Sequence, residues 1–568
     1  MATTGLSDVE RIKKQSRHLR GTLEQSLANT ITGALTEDDT QLSKFHGIYQ
    51  QDDRDVRNER KRQRLEPAYG FMIRARVPGG LVTPGQWLNL DRIATEFAND
   101  TIRLTTRQAI QFHGVIKTNL KQTIAKINGQ MMDTLAACGD VNRNVMAPPL
   151  PPLSAVHQQV QAHAESLTKH LTPSTRAYHE IWLDGKKLTA SDTESEPIYG
   201  DTYLPRKFKT AFVVPPQNDV DVFSQDLGFI AIVEAGKLAG FNVTVGGGMG
   251  MSHGETATYP RLADELGFCT PDQVNKVAEA VVTTQRDYGD RENRKHARLK
   301  YTIDDRGLDW FRGEVERRLS ASLDPARPYV FSANGDVYSW QKDDSGRWHY
   351  TLFVQNGRIA NFGERRLKRG LQAIAEIHEG DFRLTPNQNI IICNIASTRK
   401  AAIEALLQAY GIENSAQATP LRRHSMACVA FPTCSLAMAE SERYLPSLVD
   451  KLDVLLSEHG LADEPITIRM TGCPNGCARP YIAEIGLVGK GPGRYNLYLG
   501  AGFAGDRLGC LYRDNADESE ILDALAPLFD RYACDRNDDE RFGDFLVRKQ
   551  LVPEVSEGRQ FHAAAADG

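Results

Sequence analysis

The chain changes rhythm near residue 66. Up to there charge dominates: QQDDRDVRNERKRQRLEP (50–67) is nearly all polar until Pro67. That predicts a solvated helix or arm, or else a docking segment for a partner subunit. From residue 71 apolar positions recur at structural periods. FMIRARVPGG (71–80) alternates and runs into a turn, the pattern of a strand. TPGQWLNLDRIATEFAND (83–100) opens on a threonine N-cap signal and spaces its apolar residues for one helix face. TIRLTTRQAIQFHGV (101–115) reads as two short extended runs.

This pattern occurs twice. Ile102-Arg103-Leu104-Thr105-Thr106-Arg107-Gln108 is echoed by Phe382-Arg383-Leu384-Thr385-Pro386-Asn387-Gln388. Each copy follows a helix-like segment, preceded in turn by a strand expected to end at Gly80 or Gly357. A second echo, GFNVTVGGG (240–248) against RYNLYLGAG (494–502), comes in the same order. Two copies at so long a period are not a solenoid. They predict two pseudo-symmetric halves that enclose a site between them.

Composition adds limits. The 568 residues allow three or four domains at roughly 150 residues each. A net charge of −5 gives no reason to expect a nucleic-acid partner. No window approaches the roughly 18 uninterrupted apolar residues of a membrane span. The N-terminus lacks the apolar stretch of a secretory signal, so a cytoplasmic protein with reduced thiols is expected.

Nine cysteines, an odd number in a large chain, argue against a disulfide framework. Cys138, Cys269, Cys393, Cys510 and Cys534 read as small buried hydrophobes. The other four form two close pairs, Cys428-x5-Cys434 and Cys473-x3-Cys477. Four thiolates suit a [4Fe–4S] cube, one per iron. The Pro and Gly of TGCPNGC suit a tight loop that aims sulfurs and backbone N–H groups at a negatively charged cluster. Structural zinc also takes four cysteines, but its knuckles are shorter than C-x5-C, and neither ferredoxin spacing matches. The pairs stand only in the second half, while most candidate anion-binding cations stand in the first. One half is therefore expected to carry a cofactor and the other to wall the substrate. Gly246–Gly248 lacks the register of a dinucleotide site and reads as a turn beside a cofactor. With no flavin or nicotinamide fingerprint, electrons are expected from a separate protein.

The two cysteine motifs resemble the signature of the sirohaem sulfite and nitrite reductases. The likeness continues through NRNVMAPP, TYLPRKFKTAF (202–212), VGGGMG (245–250), TTQRDYG (283–289) and FRLTPNQN (382–389), in family order and over nearly the full length. It is strongest toward the hemoprotein (beta) subunits of the NADPH-dependent assimilatory sulfite reductases. The resemblance implies an α+β fold of two pseudo-symmetric halves, each with a ferredoxin-like half-domain and an α/β cofactor module. The expected segments are a charged N-terminal arm (1–65), half-domain 1 (66–138), a sirohaem and substrate module (139–328), half-domain 2 (329–410) and a [4Fe–4S]/sirohaem module (411–568).

By the same resemblance, Cys428, Cys434, Cys473 and Cys477 hold the cluster, and Cys477 also ligates the sirohaem iron. Arg74, Arg143, Lys207 and Lys209 hold sulfite and supply protons. Arg103, Arg107, Gln111, His113 and Arg206, with Gln388 and Asn475 as further candidates, hold the macrocycle and its carboxylates. NADPH, FAD and FMN enter only through a partner flavoprotein (alpha) subunit. The physics agrees: a small anion and an eight-carboxylate ring need many cations at short range. Alternatives are a sirohaem nitrite reductase, a ferredoxin-dependent sulfite reductase and, in another class, a non-enzymatic zinc or iron–sulfur scaffold.

Overall fold

A computed structural model describes residues 5–150, 153–175, 196–412 and 414–564. Two five-stranded antiparallel sheets form its centre. The first runs Ile48–Asp52, Tyr69–Ala75, Ile110–Val115, Ile102–Leu104 and Arg358–Ile359. The second runs Trp340–Lys342, Trp348–Leu352, Ile390–Ile395, Asp381–Leu384 and Leu81–Val82. The last strand of each comes from the other half: Arg358 lies opposite Arg103, and Leu81 opposite Arg383. The halves are thus stitched together by exchanged edge strands, and one continuous apolar core runs beneath both.

Two glycines make that exchange possible. Gly80 and Gly357 have φ of 78° and 73°. A Cβ on Gly80 would lie 2.5 Å from Leu384 O, and one on Gly357 would lie 2.4 Å from Leu104 O. Each glycine therefore sits in a turn ahead of an exchanged strand, and does not end a strand as the sequence suggested. The expected helix is Pro84–Phe97, capped by a reciprocal Thr83–Gln86 box.

The N-terminal region is more ordered than an arm. Helices Asp8–Gln15, Leu23–Ala28 and Glu37–Leu42 bury Ile12, Leu23 and Leu42, and the strand Ile48–Asp52 joins the first sheet across residue 65. Lys13, 1% exposed, pairs with Glu10 and donates to Leu204 O at 2.7 Å. The solvated-helix expectation holds for Arg57–Arg62, which buries nothing.

Each half carries a second sheet. Thr210–Val213, Leu227–Glu234, Lys237–Val245 and Asp264–Cys269 form one. Ser425–Ala427, Ile468–Thr471, Ile485–Gly491, Arg494–Leu499 and Cys510–Ala516 form the other. Their registers correspond. Ala211 pairs with Met146 and Gly228, and Arg469 with Met426 and Gly486. Gln108 Nε2 donates to Ala147 O, and Gln388 Nε2 to Ala427 O, both at 2.9 Å. Segment 104–148 therefore matches 384–428, and 211–228 matches 469–486. Among the described residues no helix is long and apolar enough to cross a membrane.

Candidate functional site

Strands Ser425–Ala427 and Ile468–Thr471 are parallel neighbours, with Ala427 opposite Met470. Both cysteine pairs leave the same ends of adjacent strands, which is why residues far apart in sequence converge. Cys428 N donates to Met470 O at 3.2 Å, and Gly472 N to Cys428 Sγ at 3.3 Å. Asn475 Nδ2 lies 3.6 Å from Cys473 Sγ. Burial first, and then neighbouring cysteines of the set, push Cys428 and Cys473 up to about 12 and Cys434 up to about 11. Cys477 is exposed. Among the described residues no three His, Cys, Asp or Glu side chains converge as the ligands of a single metal ion would.

Facing this loop is the glycine turn 245–250. Met251 N donates to Pro474 O at 3.0 Å, and a Cβ on Gly476 (φ 60°) would lie 2.9 Å from Met249 O. Only glycine permits so close a fit there. Lys300 holds the turn, donating to Gly248 O at 3.1 Å and Gly250 O at 2.8 Å.

The cleft beside these loops is lined by Arg206, Lys207, Gly250, Arg294, Arg298 and Asn475. Deeper cations crowd it. Burial, then Arg206, Arg298 and Arg143, hold Lys207 well below an ordinary lysine, while Cys477 acts in the opposite sense. Burial, then Arg107, Arg298 and Lys207, do the same to Lys209. Arg206 falls to about 10, mainly through burial. Phe208 between the two lysines is 1% exposed, so alternation turns both lysines away from the core.

Neighbours fix the pocket arginines. The Gln111 amide, oriented to present its oxygen, accepts from Arg74 Nη2 at 2.5 Å and Nε at 3.2 Å. Arg74 Nη1 also reaches Cys138 Sγ at 3.0 Å. Arg143 approaches the Tyr49 hydroxyl. Arg107 Nη2 donates to Gln225 Oε1 at 2.5 Å.

The model of the nitrite/sulfite reductase ferredoxin-like half domain matches residues 63–129 and 340–410. The nitrite and sulphite reductase 4Fe-4S domain matches 163–323. The sulfite reductase [NADPH] hemoprotein beta-components of Staphylococcus saprophyticus and Geobacillus kaustophilus are 58% and 59% identical, each match covering 98% of both chains. The chain belongs to the nitrite and sulphite reductase family. The solved NirA protein of Mycobacterium tuberculosis shares the fold, with a TM-score of 0.78 at 26% identity over 96% of each chain.

The match to this family's 4Fe-4S domain falls on the first copy of the duplicated module, while the four thiols stand in the second. The thiols fit the cluster: Cys428, Cys434 and Cys473, raised by burial and by one another, hold their protons until cationic iron displaces them, and Cys477 stands exposed beside them. The cleft fits an anionic ring: many cations face few carboxylates, chiefly Asp226 on Arg298 at 2.8 Å and Asp140 on Arg294 at 2.8 Å. His113 is 2% exposed, and neither ring nitrogen has a partner among the described residues. A buried ring with two unpaired nitrogens suits a hydrogen bond to a polar group of an anionic ring.

Most of the expected residues gather here: Arg74, Arg143, Lys207, Lys209, Arg107, Gln111, Arg206 and Asn475. Two are otherwise engaged. Arg103 donates to Asn356 O at 3.2 Å and Ala427 O at 2.8 Å and pairs with Glu442 at 3.2 Å. Gln388 uses both amide atoms on the Ala427 backbone. Cys534 is exposed, against the expectation of burial. The sequence reading missed Arg298, Lys300 and Tyr49, because KHARLK and GIYQQ carry no motif and only folding brings them to the cleft.

Proposed function

We propose that this chain is the haem-carrying subunit of an assimilatory sulfite reductase. It takes sulfite, six electrons and six protons to sulfide and three waters, with electrons drawn from a separate NADPH flavoprotein in the cytoplasm. The observation that carries this reading is a single cleft lined by Arg206, Lys207, Arg294 and Arg298 of the first copy and by Asn475 of the Cys473–Cys477 loop. One cleft thus brings the cysteine loop and the anion-binding cations together. The two relatives reported above are named for this activity.

Cys428, Cys434, Cys473 and Cys477 would hold the cluster, and Cys477 would be shared with a sirohaem in the cleft. When bound, these groups supply electrons one at a time; the redox chemistry is theirs. The chain supplies the rest. Arg74, braced by Gln111, and Arg143, against Tyr49, would offset the charge of sulfite and of each departing oxygen. Lys207 and Lys209, whose protons are already loosely held, would deliver protons to those oxygens. Arg107, Arg206 and Arg298 would neutralise ring carboxylates.

The test is kcat/KM for sulfite and nitrite on one preparation, with a chemical reductant and with NADPH plus the flavoprotein. A clear preference for sulfite, and turnover with NADPH only when the flavoprotein is present, is expected. A preference for nitrite would move the chain to the other branch of its family.

A further inference from the structure

The two copies of the duplicated module meet at a buried ion pair between equivalent residues. In the first copy the chain leaves Thr210–Val213, turns through Asp221 in the left-handed region (φ 49°, ψ 61°) and enters the turn Val222–Ser224. In the second it leaves Ile468–Thr471, passes the Cys473–Cys477 loop, turns through Arg479 (φ 56°, ψ 50°) and enters Pro480–Ile482. The register that sets Ala211 on Arg469 also sets Asp221 on Arg479. These counterparts touch: Arg479 Nε donates to the Asp221 carboxylate, which Arg469 Nη1 also reaches at 2.7 Å. Arg479 is 3% exposed and Asp221 1%.

The rest of the Arg479 fork repeats the symmetry. Nη1 donates to Thr106 O at 2.9 Å and Nη2 to Pro386 O at 3.1 Å. Thr106 and Pro386 hold the same place in the two echoed loops. The guanidinium therefore sits where the pseudo-symmetry axis passes and binds both halves at once. Identical residues in both copies would put like groups face to face at this point; an acid opposite a base resolves the conflict.

The pair also lies between the two working parts of the cleft. Arg479 follows Cys477 by two residues, and Thr106 Oγ1 donates to Cys477 O at 3.1 Å. On the other side Gln225 Nε2 donates to Asp221 O at 3.2 Å, while Gln225 Oε1 accepts from Arg107. We infer that Arg479, clamped on Asp221, is a positioning residue. It sets where the Cys477 sulfur stands relative to the cations of the first copy. This deepens the proposed function and rests on it.

The test uses the full chain made with sirohaem available, as Arg479→Met, Arg479→Lys and Asp221→Asn. In Arg479→Met, kcat for sulfite is expected to fall about 10–100-fold, with KM changed less than about threefold. Its visible bands and EPR signals should shift. Arg479→Lys keeps a charge on Asp221 and should recover most of both. In chains made without cofactors, hydrogen exchange of residues 476–482 should quicken in the Met variant and return with Lys.

A folded Arg479→Met with unchanged spectra and kcat within about threefold of the unaltered chain would overturn the inference. So would a Lys variant as impaired as Met, which would mark a purely structural pair. Should Arg479→Met not fold, the spectra and exchange of Asp221→Asn decide: shifts at the Cys477 loop support positioning, and their absence refutes it. Sulfite turnover of the unaltered chain is measured separately, so failure of the proposed function is distinguishable from failure of this one.

Discussion

The two halves have the same backbone course and opposite chemistry. In register, Cys428 of the second copy corresponds to Pro148 of the first, Cys473 to Pro215 and Cys477 to Asp219. The cations show the reverse bias. Lys207 and Lys209 correspond to Pro465 and Thr467, Arg107 to Asn387 and Gln111 to Ile391. Strand pairing sets Arg74 opposite Gln111 and Thr351 opposite Ile391, so the second copy has a threonine where the first has Arg74. The lesson is that the sheets are kept while the chemistry sits on strand ends and cleft-facing positions, which can change without disturbing the cores. One copy became a thiol cradle, the other an anion wall, and the exchanged strands hold them face to face.

This division can be broken from either side. On the thiol side, Cys477→Ser removes the shared ligand. Activity is expected to fall by about a thousandfold or more, with loss of cluster–haem coupling in the visible and EPR spectra, since the whole catalytic unit depends on that ligand. On the anion side, Lys209→Ala is expected to slow sulfite turnover roughly 100-fold, in the range of a lost general acid. One-electron uptake from a chemical reductant should change far less. Equal loss of both would make Lys209 structural.

Stability gives a finer probe of the anion wall. Lys207 binds its proton less readily folded than unfolded. The folded state is therefore penalised below the unfolded value of about 10.4, and the penalty fades as pH rises toward it. Lys207→Met should accordingly raise the Tm of the cofactor-free chain at pH 7 by about 1–3 °C, and by less near pH 10. A gain that grew with pH would contradict the sign. The smallest effect tests the equivalence itself. Gln108→Ala and Gln388→Ala remove the buried hydrogen bonds that tie each loop to Ala147 and Ala427, so each should cost about 1–3 kcal/mol without changing the haem spectrum. A spectral change in Gln388→Ala alone would restore that residue to the ring site.

Much of this was legible in the sequence, for identifiable reasons. The duplication showed because Gln108 and Gln388 must each tie a loop to the next strand, which preserved a readable motif. The thiol cradle showed because an iron cube leaves few other uses for C-x5-C and C-x3-C in one chain. Leu81–Val82 and Arg358–Ile359 were invisible as exchanged strands, since two residues carry no periodicity. The N-terminal helices were hidden because Ile12, Leu19 and Leu23 are thinly spread among charges. Arg298, Lys300 and the Asp221–Arg479 pair needed the three-dimensional register before their partners could be named. The contacts of Arg103 to Ala427 O and Glu442 were likewise not legible, because a strand sequence does not reveal what waits beside it.

The most direct test of the division is the metal content and colour of the purified chain, produced where sirohaem is available. The account predicts roughly five irons and four acid-labile sulfides per chain, four irons from the cube and one from the haem, with strong visible absorption. It also predicts loss of that coupled spectrum on Cys477→Ser. A colourless protein without iron, or an unchanged spectrum in Cys477→Ser, would contradict it.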